Sequence, residues 1–267
     1  MEKIKPLKRF GQNYINDQNI LNNIVKEISP NINDNLLEIG PGLGSLTKKL
    51  LDYIPNLTAV EIDKRVIDNL SNKFPQIKLL NDDFLNLDLH QLITNSHNKL
   101  RIIGNIPYNL TSSIIFKMIE NNSIISDSVI MVQTEVARRM IAQKGTKDYG
   151  IFSILLNYFS EIKHCFRVSP NVFYPKPKVF SSVIHIFFRE LQESKEEQRL
   201  FIKIVKAAFG NRRKTLRNSF ENSLSSVGLE DIDFESSGID LSLRAEQLSI
   251  DEFKKLTEYV FKLQNLK

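Results

Sequence analysis

The 267-residue sequence has a single cysteine, Cys165, so it can form no internal disulfide and has no Cys-x-x-Cys pair for zinc or redox chemistry. Its four histidines (His90, His97, His164 and His185) are scattered without ligand spacing, which leaves no metal site to expect. No apolar run is long enough for a membrane span, and the charged N-terminus lacks the apolar core of a signal peptide. The expectation is a cytoplasmic protein with no metal and no membrane attachment, and nothing in the chain demands a dimer. Apolar residues at 42% and charged residues at 25% are ordinary globular values and exclude a disordered or fibrous chain.

Proline is missing from the last third of the chain; all nine prolines lie at or before Pro177. Strand-like, β-branched runs also stop near Phe188, and the polar stretch 189–198 reads as a linker. Beyond it Leu200, Phe201, Ile204, Val205 and Ala208 fall at helical spacing. Two domains are expected, a mixed α/β body over 1–190 and a small helical domain over 196–267. Acid is locally missing as well. Residues 198–220 hold seven basic side chains and no carboxylate, whereas 221–267 holds five basic and ten acidic residues. The net charge of +5 thus hides a segregation that suits a local anionic partner. There is no internal repeat and no low-complexity tract.

Within the body, Asp17 can cap a helix whose apolar face is Ile20, Leu21, Ile24, Val25 and Ile28. Short apolar runs follow at 36–39, 57–62, 77–80, 100–103 and 128–132, most of them separated by amphipathic stretches. Strands alternating with helices predict a parallel sheet covered on both faces. The run 179–188 alternates faces and predicts an antiparallel edge or inner strand. Open sheets of this kind bind ligands at the carboxyl ends of their strands, near the switch in strand order.

Strand 36–39 runs into Gly40-Pro41-Gly42-Leu43-Gly44 and then Ser45-Leu46-Thr47, which opens a helix. Glycines there permit a tight turn and a close approach of ligand to backbone. A glycine-rich turn alone is a weak signal; a series of polar residues strengthens it. Gly40, Glu61, Asp83 and Asn105 follow one another at nearly equal intervals. One βα unit per step brings all four to the same edge of the sheet. An acid about 20 residues past the glycines is placed to accept both ribose hydroxyls. A carboxylate one strand further can accept from an adenine amino group, with Asp82 and Asp83 both open for that part. An adenosine-containing cofactor fits, but the glycine loop does not separate a dinucleotide from S-adenosylmethionine.

The fourth strand separates them. It leads into Gly104-Asn105-Ile106-Pro107-Tyr108. An exocyclic adenine nitrogen is a poor nucleophile because its lone pair is delocalised into the ring. The amide oxygen of Asn105 and the backbone oxygen of Ile106 can accept its two N–H bonds and favour a more pyramidal nitrogen. Pro107 stiffens the turn, and Tyr108 offers a face on which a flipped or single-stranded base can stack. Phe173, at the head of the stiff loop Phe173-Tyr174-Pro175-Lys176-Pro177-Lys178, is a second candidate aromatic. A nucleotide-dependent oxidoreductase would explain the glycines and Glu61 but leave Asn105–Tyr108 and the basic stretch without a task. A non-catalytic RNA-binding assembly factor would leave the cofactor positions without one.

Taken together, these residues resemble the ribosomal RNA adenine dimethyltransferases, on the bacterial small-subunit branch. The likeness runs through Arg9-Phe10-Gly11-Gln12-Asn13-Tyr14-Ile15, the glycine loop, Glu61, Asp83, Asn105–Tyr108, residues 173–181 and residues 208–216. It implies a Rossmann-like class I S-adenosylmethionine-dependent methyltransferase sheet with a small all-helical C-terminal domain. It implies transfer of four methyl groups to two adjacent adenines near the 3′ end of 16S rRNA in an immature small ribosomal subunit, leaving S-adenosylhomocysteine. By position Asn13, Ile15, Gly40, Gly42, Glu61, Asp83 and Asn105 would contact the cofactor, with Asn105 also facing the amine and Tyr108 and Phe173 flanking the base. Tyr14-Ile15 departs from the usual Phe-Leu of that family. The sister branch, the 23S rRNA methyltransferases of macrolide resistance, shares the Asn-Ile-Pro-Tyr segment. Pro41 inside the glycine loop and the run 211–217 favour the small-subunit branch. Lys206, Arg212, Arg213, Lys214 and Arg217 are the residues expected to meet RNA phosphates.

Overall fold

The computed structural model describes residues 5–7, 11–211, 213–227 and 232–265. Arg9, Phe10 and Arg212 lie outside the described residues. The chain divides into two compact units: one runs to residue 137 and includes 161–189, the other combines 138–160 with the segment from 190 onward.

The first unit begins with a two-residue strand, β1 (Tyr14–Ile15), and helix α1 (Gln18–Ile28). Asp17 caps α1, its carboxylate accepting from the backbone N–H of Asn19 and Ile20. Leu21, Ile24, Val25 and Ile28 recur at helical spacing and make the buried face. Strand β2 (Asn35–Ile39) follows and is buried at every position, as a parallel strand covered on both faces must be. Helix α2 (Ser45–Leu50), β3 (Thr58–Val60), α3 (Lys64–Lys73), β4 (Lys78–Leu80), β5 (Leu100–Asn105), α4 (Thr111–Glu120) and β6 (Ile125–Gln133) continue the alternation. Strands β2 to β6 pair in parallel. Helix α5 (Thr134–Met140) carries the chain out to α6 (Ile151–Phe159), from which β7 (Ser160–Val168), β8 (Phe173–Tyr174) and β9 (Ser181–Phe188) return it.

The large sheet has seven strands in the order β4-β3-β2-β5-β6-β9-β7, and β8 pairs with β1 in a separate two-stranded ribbon. Strand β9 runs antiparallel to β6 and lies inside the sheet, with β7 at the margin. The sequence predicts β9 but not β7. In β7 the charged residues Glu161, Lys163 and Arg167 interrupt the apolar pattern, and an edge strand tolerates them. The chain steps from β2 outward to β3 and β4, then recrosses to β5 on the other side of β2. That is the switch point at which ligands bind.

At the opposite end of β5 sits a part-buried ion cluster. Arg101 donates from Nε and Nη2 to Asp127 and from Nη1 to Asp34, each at 2.7 Å. Its remaining N–H bonds go to the carbonyls of Ile28 and Ser29, at the end of α1. All five guanidinium donors are thereby used. The His185 ring, on β9, brings its Nε2 within 2.8 Å of Asp127 Oδ2, the oxygen that also accepts from Arg101 Nη2. Burial alone would raise the Asp127 carboxyl, but the hydrogen bonds from Arg101 and His185 outweigh it and hold the group at about 2.

The second unit is built on α7 (Lys195–Ala208), α8 (Leu216–Val227) and α9 (Ile250–Asn265). Ser194 and Glu197 form a reciprocal cap at the start of α7. Segment 138–160, which the sequence reading leaves in the α/β body, belongs with these helices. Tyr158 of α6 stacks on Phe201 of α7 with ring centroids 3.8 Å apart, and the Tyr149 hydroxyl donates to the Leu248 carbonyl. These partners lie far along the chain, beyond the reach of local pattern.

Candidate active site

Strand register sets three of the four evenly spaced polar residues level, with Asn81 in place of Asp83, which lies two residues further along the chain. Ile39 lies opposite Val60 on one side and Gly104 on the other, and Val60 lies opposite Leu80. The next residue on each strand is Gly40, Glu61, Asn81 or Asn105, so these four stand level at the carboxyl edge. Gly104 has to be glycine: a Cβ there would sit 2.5 Å from the Ile39 carbonyl oxygen. A pocket opens above this edge, and Asn13, Ile15, Gly40, Gly42, Glu61 and Asn105 all line it. Asp82 and Asp83 line it too.

Glu61 is buried, and its carboxylate accepts from the backbone N–H of Asp63 at 3.0 Å and of Gly42 at 3.4 Å. Burial pushes its pKa up, while those N–H groups pull the other way. Asn81, which the sequence reading passes over, donates from its amide to the Glu61 carbonyl at 3.0 Å and fixes the adjoining strand end. Asp83 accepts from the Leu85 N–H, and Asp82 from the N–H of Asp83. Both acids remain at the pocket.

On the opposite side, Asn105 donates from its amide nitrogen to the Asn13 carbonyl at 2.7 Å. That bond orients the side chain and leaves the carboxamide oxygen as its acceptor. Ile106, Pro107 and Tyr108 follow around the rim. The Pro107 carbonyl accepts from the Leu110 N–H, so the turn winds directly into α4. Tyr108 is anchored by a 2.6 Å hydrogen bond between its hydroxyl and that of Ser181, the first residue of β9. Burial raises the Tyr108 phenol and the Ser181 contact offsets part of the rise.

Phe173 is not brought to the pocket with the others. It pairs with Ile15 across the β1–β8 ribbon and is 6% exposed within the apolar core, whereas Tyr174 is 65% exposed. Alternation along the strand decides which of the two rings faces out.

Glu38 lies wholly inside the first unit, its carboxylate accepting from the Thr47 hydroxyl at 2.7 Å. Burial first, and then the proximity of Glu61 against the Thr47 bond, pushes its pKa up to about 8. The folded chain therefore keeps this proton as pH rises from the ordinary 4.5 towards 8, while the unfolded chain loses it. Stability from this group falls with pH across that window. Glu38→Gln keeps an acceptor for Thr47 and removes the titration. Thermal melts should show the wild type losing ground to the variant between pH 5 and pH 8. Parallel Tm profiles would reject the assignment.

A family model described as ribosomal RNA adenine dimethylase matches residues 3–262. The chain belongs to that family. The ribosomal RNA small subunit methyltransferase A of Chlorobium phaeobacteroides (strain BS1) is 40% identical over 251 residues, covering 93% of this chain and 91% of that protein. The protein of the same name from Francisella tularensis subsp. novicida (strain U112) is 37% identical over 261 residues, covering 97% and 98%. Among solved structures, a dimethyladenosine transferase from Plasmodium falciparum superposes with a TM-score of 0.73 at 23% identity, covering 93% of this chain and 97% of its own. The 23S rRNA methyltransferase ErmE gives 0.64 at 23% identity, covering 93% and 99%. Both share the fold, a class I methyltransferase sheet.

S-adenosylmethionine is the cofactor the family implies, and the pocket fits it. Glu61 offers an acceptor to ribose hydroxyls, Asp82 and Asp83 offer acceptors to an adenine amine, and a buried hydroxyl on Tyr14 stands without a partner. Asn13, Ile15, Gly40, Gly42, Glu61, Asp83 and Asn105 are the residues that would hold it.

In the second unit, Lys203 and Lys206 lie on the exposed side of α7, between buried Ile202, Ile204 and Val205. Arg213, Lys214 and Arg217 are exposed as well. Arg217 is bound through Nη1 and Nη2 to the two carboxylate oxygens of Glu235, an acid from the region that the charge pattern marks as acidic. Among the described residues no helix is long and apolar enough to cross a membrane, and no cluster of three His, Cys, Asp or Glu side chains is placed to hold a metal.

Proposed function

We propose that this chain transfers methyl groups from S-adenosylmethionine to the N6 amines of two adjacent adenines near the 3′ end of small-subunit (16S) rRNA, within an immature subunit. The observation that carries the reading is the Asn105 carboxamide, held by the Asn13 carbonyl with its oxygen free to accept, beside Tyr108 and across the pocket from Glu61. The cofactor supplies a methyl group activated on a sulfonium. Asn105 and the Ile106 carbonyl accept the two N–H bonds of the adenine amine and hold its lone pair in one direction. Tyr108, locked to Ser181, gives the base a fixed face to stack on. Placement and charge stabilisation supply most of the rate in such a scheme. Phe173 would flank the base only after leaving its apolar cluster, so Tyr108 is the aromatic on which this reading rests.

The α/β unit of 1–137 and 161–189 is the catalytic one in this reading, and the helical unit of 138–160 and 190 onward brings RNA to it. Lys206, Arg212, Arg213, Lys214 and Arg217 are the phosphate contacts, with Arg217 exchanging Glu235 for RNA. The enzyme acts as a cytoplasmic monomer. Relatives 37–40% identical over more than nine-tenths of the chain, each named for the small ribosomal subunit, support the choice of substrate.

The deciding experiment incubates unmodified small and large ribosomal subunits with labelled S-adenosylmethionine and maps the modified bases. Label on two neighbouring adenines near the 3′ end of 16S rRNA is the expected result. Label confined to the large subunit would overturn it in favour of the 23S branch.

A further inference from the structure

Among the described residues only two buried side-chain polar atoms lack a hydrogen-bond partner, the hydroxyls of Tyr14 and Ser128. Ser128 sits in mid-β6, away from the pocket. Tyr14 lines the pocket and is 7% exposed. Native structures rarely leave such a group unpaired, and those that do need a reason.

The surroundings of the ring point to one. Tyr14 lies against the glycine loop: a Cβ on Gly42 would come within 2.8 Å of its Cδ1 and Cε1 atoms. Gly42 must stay bare for the ring to rest there, and its own N–H donates to Glu61. Ring, loop and acid thus share one corner. Burial and the neighbouring charges of Glu61 and Asp63 push the phenol up to about 12, so it keeps its proton at any working pH.

We propose that the Tyr14 hydroxyl is a further binding group for the cofactor's ribose, acting beside Glu61. It donates to a ribose oxygen whose own O–H donates to the Glu61 carboxylate. A phenol donor next to a carboxylate acceptor matches a neutral hydroxyl, which gives and takes one hydrogen bond each. The cofactor's anionic carboxylate suits this corner less well, because the buried Glu61 carboxylate would repel it, Asp63 being already paired with Arg65 at 2.7 Å. The inference rests on the cofactor reading above and adds a residue to it.

Calorimetric titration of S-adenosylhomocysteine and its 2′-deoxy and 3′-deoxy analogues into wild type and Tyr14→Phe tests this directly. The variant should bind S-adenosylhomocysteine about five- to tenfold more weakly. Against the analogue that lacks the contacted hydroxyl, the two proteins should bind alike. Without ligand, Tyr14→Phe should melt no lower than wild type, since it loses only an unpaired group. Equal affinity of both proteins for S-adenosylhomocysteine would overturn the proposal. So would the same loss with all three ligands, which would place the hydroxyl's partner elsewhere. A wild type that binds none of the three would instead remove the cofactor reading itself.

Discussion

Asn105→Ala is expected to slow methyl transfer by about 10²–10³-fold, the scale of losing one preorganised hydrogen-bonding group at a reacting centre. RNA affinity should be unchanged, because the residue lies at the end of β5 and carries no charge. The variant loses two things at once, the acceptor for the adenine amine and the bond to the Asn13 carbonyl. Single-turnover rates at saturating cofactor separate them: loss of the acceptor persists at saturation, whereas disturbance of Asn13 shows in cofactor affinity. Asn105→Asp is a useful companion. It keeps an acceptor but sets a carboxylate against the Asn13 carbonyl oxygen, so it should bind cofactor less well than wild type. Near-normal turnover in Asn105→Ala would show that the amine is held by other groups.

Arg101→Met should lower stability by about 3 kcal/mol, because it removes the cation from two carboxylates and leaves Asp127 with His185 and Ser126 and Asp34 with the Asn31 N–H as their remaining partners. At about 2–4 °C per kcal/mol for a chain of this size, the thermal midpoint should drop by roughly 10 °C. The charge deleted matters less than the charges left behind. Arg101 also holds the carbonyls of Ile28 and Ser29 at the end of α1, so those lose their donors as well. The acid side of the cluster has a definite pH signature. Asp127 is held at about 2, below its ordinary 3.8, so its contribution is complete above pH 4 and disappears as pH falls through 2. A melt of Arg101→Met within a few degrees of wild type would show that the cluster relaxes into solvent instead of remaining trapped.

Much of the site was legible because it is periodic. Each βα unit returns the chain to the same edge after a nearly constant length, and Gly40, Glu61 and Asn105 stand level for that reason. The Asn105–Tyr108 turn was legible from its chemistry. Other features depend on partners that local pattern does not reveal. Ser181 anchors Tyr108 from a strand much later in the chain, and Asn81 acts through a backbone carbonyl on the neighbouring strand. The choice between Phe173 and Tyr174 as the outward ring turns on the register of a two-residue ribbon. Strand β7 was hidden because an edge position accepts charge that an inner strand would refuse. The helical unit's early segment was hidden because Tyr149 and Tyr158 look like body residues until Leu248 and Phe201 arrive.

That early segment has a practical consequence. The polypeptide changes unit near residues 137, 160 and 189, so no single cut separates the two. A hybrid made by splicing two relatives at one junction after residue 160 would mate segment 138–160 of one parent with the helices of the other, and one spliced near 137 would divide the α/β unit instead. Anyone exchanging halves to ask which one chooses the rRNA must transplant 138–160 together with everything after 190. Synthesis meets the same constraint, since the ribosome extrudes segment 138–160 well before the helices that complete its packing.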